Sequence, residues 1–289
     1  MPSLRQIRRR VRSIQGTAKI TRAMEMIATI RMRRARERMM AARPYAERIQ
    51  EVISRLSAQT QSEEGEALHP LLARREEKRR VGIVHVTPDR GLCGGLDSGL
   101  NRFAGEFILR QEAEVSVTCV GRRGRDFMVR SGQDVQAIFT DLGDRPSVQE
   151  ILPIARLVIA SYEDGLADEV YLLFSRFVSV LVQRPTVERL LPIQPAPLRA
   201  VERAGYIYEP DARQVLAALL PRFVEREIYQ AVLEGMASEQ SARVVAMRNA
   251  TENAQEMIEQ LTLLLNKLRQ QAITEELLDI VGATEMLGA

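Results

Sequence analysis

The fold of this chain is decided by residues 229–268, which read YQAVLEGMASEQSARVVAMRNATENAQEMIEQLTLLLNKL. Apolar residues recur in this stretch in steps of three and four, which is the spacing of a coiled-coil seam. Pro221 fits the first turn of a helix and no other proline follows before Val281, so we expect one long helix from about Asp211 to Leu287. A helix of that length with an apolar seam needs a partner. The seam residues are Tyr229, Leu233, Met236, Met247, Ala250, Ala254, Met257, Leu261, Leu264 and Leu268.

The beginning of the chain supplies that partner, because it repeats the same spacing without a slip. Only Thr21 and Glu25 interrupt the apolar character of this second seam, and Ser3 is placed to cap the helix. Pro44 predicts a kink near Arg43, although the spacing resumes in phase behind it. The seam comprises Leu4, Ile7, Val11, Ile14, Ala18, Thr21, Glu25, Ala28, Met32, Ala35, Met39, Ala42, Ala46, Ile49, Ile53 and Leu56.

The two ends of the chain fit together as one antiparallel coiled coil. If Leu4 pairs near Leu268, a partner of equal length reaches back to about residue 216, close to where the terminal helix begins. About twenty residues then extend past the start of the N-terminal helix. Their apolar stripe marks a protein interface, unless the register is shifted and the tail folds back on the helix pair. The stripe comprises Ile273, Leu277, Leu278, Ile280 and Val281.

The middle of the chain has a different period. Short β-branched runs alternate with helical stretches, which predicts an open, mainly parallel, Rossmann-like α/β sheet whose last strand can run antiparallel. We therefore expect an α/β fold in which this domain is inserted between the two helices of a long antiparallel coiled coil. The predicted strands are 81–86, 115–120, 135–139, 170–174 and a region formed by 177–183 and 186–191, with helices at 98–110, 123–131 and 147–162. The predicted divisions are the N-terminal helix at 1–58, a linker at 59–79, the α/β domain at 80–210 and the C-terminal helix at 211–289.

Composition and charge narrow the possible functions. No apolar run in the sequence approaches the length of a membrane span. Two cysteines and two histidines make neither a disulfide scaffold nor a zinc site, so no metal or cofactor is expected. Fourteen basic residues precede residue 50, against three acidic ones. Three interpretations of this basic helix stay open: a solvated face, a nucleic-acid footprint, which the sparse aromatics weaken, and a docking stripe for acidic protein loops.

Candidate catalytic groups are few. The loop Asp89–Gly95 follows the first strand, where nucleotide-binding folds keep their phosphate loops, but it lacks the Lys-Ser/Thr pair of a P-loop and the G-x-G-x-x-G spacing. A structural turn or contact loop is the favoured interpretation. Cys93 has no positioned histidine, because His85 belongs to an apolar strand and is expected in the core. The glycines at 121 and 124 indicate a strand-to-helix connection or a small anion site, and no carboxylate pair suggests acid–base chemistry.

Six segments spread along the chain match one known family. The first is PSLRQIRRR at 2–10 and the last is NKLRQQAITEEL at 266–277. The segments between them are KITRAMEM at 19–26, ARPY at 42–45, the loop at 89–95 and SEQSARVVAMRNAT at 238–251. Together they resemble the γ subunit of the F-type ATP synthase, and the first and last are similar to the start and the ending of that family. The resemblance implies a central-stalk rotor inside a ring of α and β subunits, with the α/β domain against the ε subunit and the membrane c-ring. Such a subunit couples ion flow to ATP synthesis or hydrolysis and has no catalytic residues of its own.

The resemblance also implies contact residues. Arg269, Gln270, Thr274 and Glu276 match the family's contacts to β-subunit loops, and Met24 matches the segment beside the acidic lever loops of the β subunits. The apolar tip, including Ile273 and Leu277, would lie in the sleeve at the top of the ring.

The sequence departs from the family pattern in two places, and two other classes of protein are alternative interpretations. Leu265 replaces the usual aromatic residue before the Asn-Lys pair, and the inserted dithiol segment of chloroplast relatives is absent. The beginning at Met1 favours a bacterial protein, bound peripherally to the cytoplasmic side of the inner membrane. The alternatives are a nucleic-acid-binding basic coiled coil, with a steep salt dependence, and a small-molecule enzyme built on the α/β domain.

Overall fold

The computed structural model describes residues 3–64, 69–75, 77–194, 209 and 211–287. It contains long N- and C-terminal helices and a five-stranded, mostly parallel sheet, as the sequence predicted. By its contacts the chain divides into two compact units, Thr29–Arg243 and the combination of Met1–Ala28 with Val244–Ala289. The elements are α1 (Leu4–Glu64), a 3-10 helix (Pro70–Leu72), β1 (Arg80–Val86), α2 (Leu96–Leu109), β2 (Glu114–Val120), α3 (Arg122–Arg130), β3 (Asp134–Phe139), α4 (Val148–Glu163), β4 (Glu169–Phe177), β5 (Gln183–Leu191) and α5 (Ala212–Leu287).

The unit formed by the chain ends is an antiparallel pair of α1 and α5. Thr21 and Thr251 meet across the pair at 2.7 Å between their hydroxyl oxygens. Each hydroxyl also lies within hydrogen-bond distance of a carbonyl oxygen in its own helix, Thr251 of Met247 at 2.8 Å and Thr21 of Ala18 at 3.2 Å, and either threonine can donate to the other. Thr21 lies 17 residues after Leu4 and Thr251 lies 17 residues before Leu268, which confirms the predicted register.

The seam of α1 in this unit matches its prediction, with Ile7, Thr21 and Ala28 buried. Glu25 remains half-buried beside the seam, where its carboxylate accepts a hydrogen bond from the Arg248 guanidinium at 3.0 Å. At the start of α1, Ser3 caps the helix as predicted, because its hydroxyl accepts from the Gln6 N–H at 3.3 Å.

The seam predicted for α5 is partly wrong. Met257 and Leu264 are exposed, whereas their neighbours Ile258 and Leu265 are half-buried. Apolar residues occupy both positions of each adjacent pair, so steps of three and four can be drawn through either one. Which residue of each pair is covered depends on the side of α5 against which α1 packs.

The prediction that Pro221 lies in the first turn of the C-terminal helix is wrong. Pro221 lies inside α5, because the helix begins at Ala212, where the Asp211 carboxylate accepts the Gln214 N–H at 2.8 Å. The N-terminal helix α1 continues through Pro44, and the kink near Arg43 stays a prediction. The Arg226 guanidinium donates to the carbonyl oxygen of Ala42, close to the position where proline removes a backbone donor.

In the Thr29–Arg243 unit the sheet has the strand order β3-β2-β1-β4-β5. The first four strands are parallel and β5 pairs antiparallel with β4, as expected. The expected strand at 177–183 is wrong, because residues 178–182 form the turn between β4 and β5. This connection is short enough to reverse the chain directly, which makes the last strand antiparallel.

The main core of this unit joins the two long helices to one face of the sheet. Ile53 and Leu56 of α1 belong to the same buried cluster as Leu216 and Leu220 of α5. Leu71 of the 3-10 helix is also fully buried in this cluster, so part of the segment predicted as a linker is anchored. Within the described residues, no helix combines the length and apolar character needed to cross a membrane.

Candidate partner-contact site

The predicted contact residues near the end of α5 are all exposed. The helix continues unbroken to Leu287, so the alternative of a tail that folds back is wrong. Ile273 and Leu277 expose 51% and 57% of their surface. Together with Arg269 and Glu276 they occupy positions i, i+4, i+7 and i+8, which place them on one face of the helix. Gln270 and Thr274 each follow a residue of this face by one position and lie at its edge, and residues 269–277 together are called the tip surface.

The polar residues of the tip surface keep their side chains available to a partner. Thr274 donates its hydroxyl hydrogen to the carbonyl oxygen of Gln270 at 2.9 Å, which leaves the threonine oxygen free to accept. Arg269, four residues before Ile273, and Glu276, three residues after it, provide one charge of each sign. The tip surface can therefore form charged hydrogen bonds around an apolar centre.

Met24 lies on a second, separate surface of the same unit. It is half-buried on α1, and its neighbours Ile20 and Ile27 are exposed at positions i−4 and i+3. Arg269 lies 21 residues beyond Arg248, which contacts Glu25 next to Met24, so the two surfaces are separated by roughly 30 Å along α5. The structure therefore does not bring Met24 to the tip surface.

Ile20 and Ile27 were not among the residues predicted for this second surface. Their signal was present, because positions 20, 24 and 27 follow the helical spacing on a face outside the seam. Lys19 and Arg22 are exposed beside them. An apolar strip flanked by positive charge is suited to a partner that carries both apolar and acidic side chains.

The loop Asp89–Gly95 is held by contacts within the Thr29–Arg243 unit. The Asp89 carboxylate accepts the N–H groups of Arg122 at 3.0 Å and Asp141 at 2.9 Å. One terminal nitrogen of Arg243 donates to the carbonyl oxygens of Arg90 at 3.3 Å and Gly91 at 3.1 Å. The Asp89 carboxylate thus occupies the start of α3, where an anionic ligand would otherwise bind. These contacts favour a structural or contact loop over a phosphate loop.

His85 and Cys93 do not form a catalytic pair in the structure. Asn101 donates to the carbonyl oxygen of Arg123, so its own oxygen accepts from Nε2 of His85 at 2.8 Å. Burial lowers the pKa of His85 to about 4, which keeps it neutral. Burial also raises the pKa of Cys93 to about 11, and Asp97 adds to that rise, so the reactive thiolate is suppressed. Among the described residues, no three metal-ligating side chains converge.

Three carboxylates gather where α5 meets β4 and β5. Arg176 forms ion pairs with Glu188 and, at 3.7 Å, with Glu234. Burial raises the pKa of Glu227 to about 7, and the charges of Glu188 and Glu234 add to that rise against the opposing charges of Arg226 and Arg176. Glu227 therefore holds a proton in the folded chain at a pH where an exposed glutamate has lost it.

We expect Glu227→Gln to remove a pH-dependent loss of stability. Between pH 4.5 and about 7 the unfolded chain releases this proton while the folded chain keeps it, so stability falls as pH rises. The variant should match the natural chain near pH 4.5 and exceed its free energy of unfolding by about 2–3 kcal/mol at pH 8. Urea unfolding across this range measures the difference. Glu252→Gln, an exposed change on the same helix, is the control, and equal curves for both variants would contradict the prediction.

Comparison with known proteins agrees with this architecture. A family model described as ATP synthase matches residues 3–287. The ATP synthase gamma chain of Dehalococcoides mccartyi strain CBDB1 is 52% identical over 287 residues, covering 99% of this chain and 100% of that protein. The gamma chain of Roseiflexus castenholzii is 49% identical over 290 residues, covering 99% of each.

Solved structures share the fold at lower identity. A chain in the Euglena gracilis mitochondrial ATP synthase in rotational state 3 aligns with a TM-score of 0.69 at 18% identity, covering 98% of this chain and 94% of that one. A chain of the Tetrahymena thermophila central stalk and c-ring aligns with a TM-score of 0.61 at 21% identity, covering 80% and 99%.

The fold and the exposed tip surface define a class of proteins in which an α/β domain is inserted between two long terminal helices. Sequence identity of about 50% over nearly the whole length of the gamma chains narrows that class to one family. The chain belongs to the family of ATP synthase gamma chains.

Proposed function

We propose that this chain is the central-stalk rotor subunit of an ATP synthase, and that it turns inside a ring of α and β subunits. The observation that carries the proposal is the exposed apolar tip surface, which continues along α5 past Leu4, where α1 begins. An apolar stripe of this kind requires a partner in the assembled state. Family membership supports the same conclusion.

Rotation follows from the asymmetry of such a shaft. One chain cannot present the same surface to three β subunits at once, so each β subunit is held in a different state of nucleotide affinity. Turning the shaft exchanges these states and couples ion flow through the membrane ring to ATP synthesis or hydrolysis. The ATP chemistry is then carried by the β subunits, and this chain contributes binding surfaces.

Two surfaces of the chain have separate roles in this proposal. Arg269, Gln270, Thr274 and Glu276 bind β-subunit loops, while Ile273 and Leu277 seat the tip in an apolar bearing. Met24, with Ile20 and Ile27, faces the acidic lever loops of the β subunits, and the basic residues beside it provide the complementary charge.

The α/β domain has its own partners in this proposal. The α/β domain would contact the ε subunit and the membrane c-ring, and the chain would lie at the cytoplasmic side of a bacterial inner membrane. Peripheral attachment through other subunits needs no membrane-crossing helix in this chain.

The test is ATP hydrolysis by the cognate α and β subunits, reconstituted with the full chain or with a chain ending at Leu268. We expect the full chain to join the ring and stimulate turnover strongly, and the shortened chain to stimulate it several-fold less because its tip is not seated. A full chain that neither joins the ring nor changes turnover would overturn the proposal.

A pair of substitutions isolates the apolar bearing from chain length. Ile273→Ser with Leu277→Ser should reproduce most of the loss seen on truncation, because both side chains are exposed and their removal spares the fold. Leu109→Ser is the matched control, since Leu109 is also an exposed leucine but lies at the end of α2. Equal losses in the double variant and the control would exclude a specific bearing.

A further inference from the structure

The turn between β4 and β5 carries an unusual set of exposed apolar side chains. Residues 177–182 read FVSVLV, and this segment is the hairpin tip. Val178, Leu181 and Val182 expose 53%, 78% and 47% of their surface. Hairpin turns normally contain glycine, asparagine or aspartate, so this composition is not what a turn requires.

The turn is held by hydrogen bonds of its backbone and of polar side chains, not by these apolar side chains. The N–H groups of Val178 and Ser179 donate to the carbonyl oxygen of Val182 at 3.3 and 3.0 Å, and the Val182 N–H donates back to the Ser179 carbonyl oxygen at 3.3 Å. The Gln183 amide donates to the carbonyl oxygens of Ser179 at 3.2 Å and Val180 at 2.8 Å. The apolar side chains therefore have no local structural task that would explain their exposure.

The base of the hairpin is fixed to α5. The Ser238 hydroxyl donates to the carbonyl oxygen of Ser175 at 2.8 Å, and both residues are buried. Arg176 lies 3.7 Å from the carboxylate of Glu234 on the same helix. The tip is thus a preorganised projection that moves with α5, which reduces the entropy lost when it binds.

Two arginines lie beside the hairpin tip, and only one of them has an ion-pair partner among the described residues. Arg176 is engaged by Glu188 and Glu234. Arg184 is exposed and makes no ion pair with any residue that the structure describes. The acidic residues nearest to it along the chain are Glu169 and Glu188, and Glu188 already pairs with Arg176.

We propose that the hairpin tip is a docking knob that inserts into an apolar cleft of a partner subunit with a carboxylate at its rim. The convex, rigid shape selects a concave partner, the three exposed side chains select apolar walls, and Arg184 selects the carboxylate. The inference rests on the proposed function, because it assigns the partner to the same complex. It adds a contact surface on the α/β domain, distinct from the tip surface of α5.

Photocrosslinking in the assembled complex tests the contact. The full chain carries p-benzoylphenylalanine in place of Leu181 or, as the control, in place of Leu109, and is assembled with its cognate α, β and ε subunits. We expect position 181 to crosslink at one defined segment of a partner subunit that contains apolar residues beside Asp or Glu. Crosslinks only to a second copy of this chain, or the same pattern at both positions, would overturn the inference.

Substitutions test the chemistry of the same contact. Val178→Ser with Leu181→Ser should weaken the apparent affinity of the full chain for the other subunits about tenfold, against little change for Leu109→Ser. Arg184→Glu should weaken it too, and reversing the charge of the crosslinked carboxylate should restore it. Affinities equal to that of the Leu109→Ser control would contradict the proposal that the hairpin tip is a docking knob. A chain that still joins the ring and stimulates hydrolysis would leave the rotor assignment standing, so the two failures are distinguishable.

Discussion

Gly121→Ala is expected to lower the free energy of unfolding by about 4 kcal/mol or more. Gly121 has φ 109° and ψ 145°, a conformation that is essentially restricted to glycine. An added Cβ would lie 2.0 Å from the carbonyl oxygen of Thr87, which is backbone and cannot rotate away. The Gly121 N–H also donates to the carbonyl oxygen of Phe139, and Gly121 is the N-cap residue of α3. A backbone shift that relieved the clash would therefore disturb the end of the sheet.

Gly132→Ala is the matched control for this prediction. Gly132 also has a positive φ, 70°, but its Cβ would meet no atom within 4 Å. Its cost should be limited to the left-handed backbone, about 1 kcal/mol. Urea unfolding of both full-length variants measures the difference, and similar losses would show that the close approach to Thr87 is not what fixes glycine at position 121.

Arg243→Met is expected to cost about 3–5 kcal/mol of stability. The Arg243 guanidinium is nearly buried, and its terminal nitrogen lies 2.7 Å from the Glu239 carboxylate. Burial already raises the pKa of Glu239 in spite of this pair, so removing the arginine leaves a costly unpaired carboxyl group. The carbonyl oxygens of Arg90 and Gly91 lose their donor at the same time.

Two further variants separate the charge from the packing. Arg243→Met combined with Glu239→Gln should recover part of the loss, because no charge is then buried. Arg33→Met is the matched surface control, since Arg33 pairs with Glu37 at the same i,i+4 spacing but both side chains are exposed. That change should cost under about 1 kcal/mol. If Arg243→Met costs no more than the control, the buried pair does not hold the loop.

The spacing of apolar residues along the chain predicted most of the fold. The seam of α1, the alternation of strands and helices and the offset between Leu4 and Leu268 depend on spacing along the chain, and each can be read from short windows. The exposed tip surface followed from the same pattern, because an apolar stripe that outlasts its partner is visible in the sequence. The contact roles of Met24, Arg269, Gln270, Thr274 and Glu276 came from family resemblance and remain predictions.

The errors arose where neighbouring residues satisfied the same rule. Met257 and Ile258 are both apolar, so the pattern could not choose which one faces α1. Pro221 satisfies the rule for a first helical turn, yet Asp211 starts the helix earlier and the buried residues Leu216 and Leu220 favour the added length.

The sequence by itself determined that two long amphipathic helices enclose an α/β domain, because hydrophobic spacing is a property of neighbouring residues. Only the tertiary structure decided which apolar side chains are left exposed, including Leu181 at the hairpin tip, and which polar groups meet. Arg243 and the carbonyl of Arg90 are 153 residues apart in the chain. A contact of that kind has no local signal, since it forms only when α5 and the end of β1 are brought together by the core.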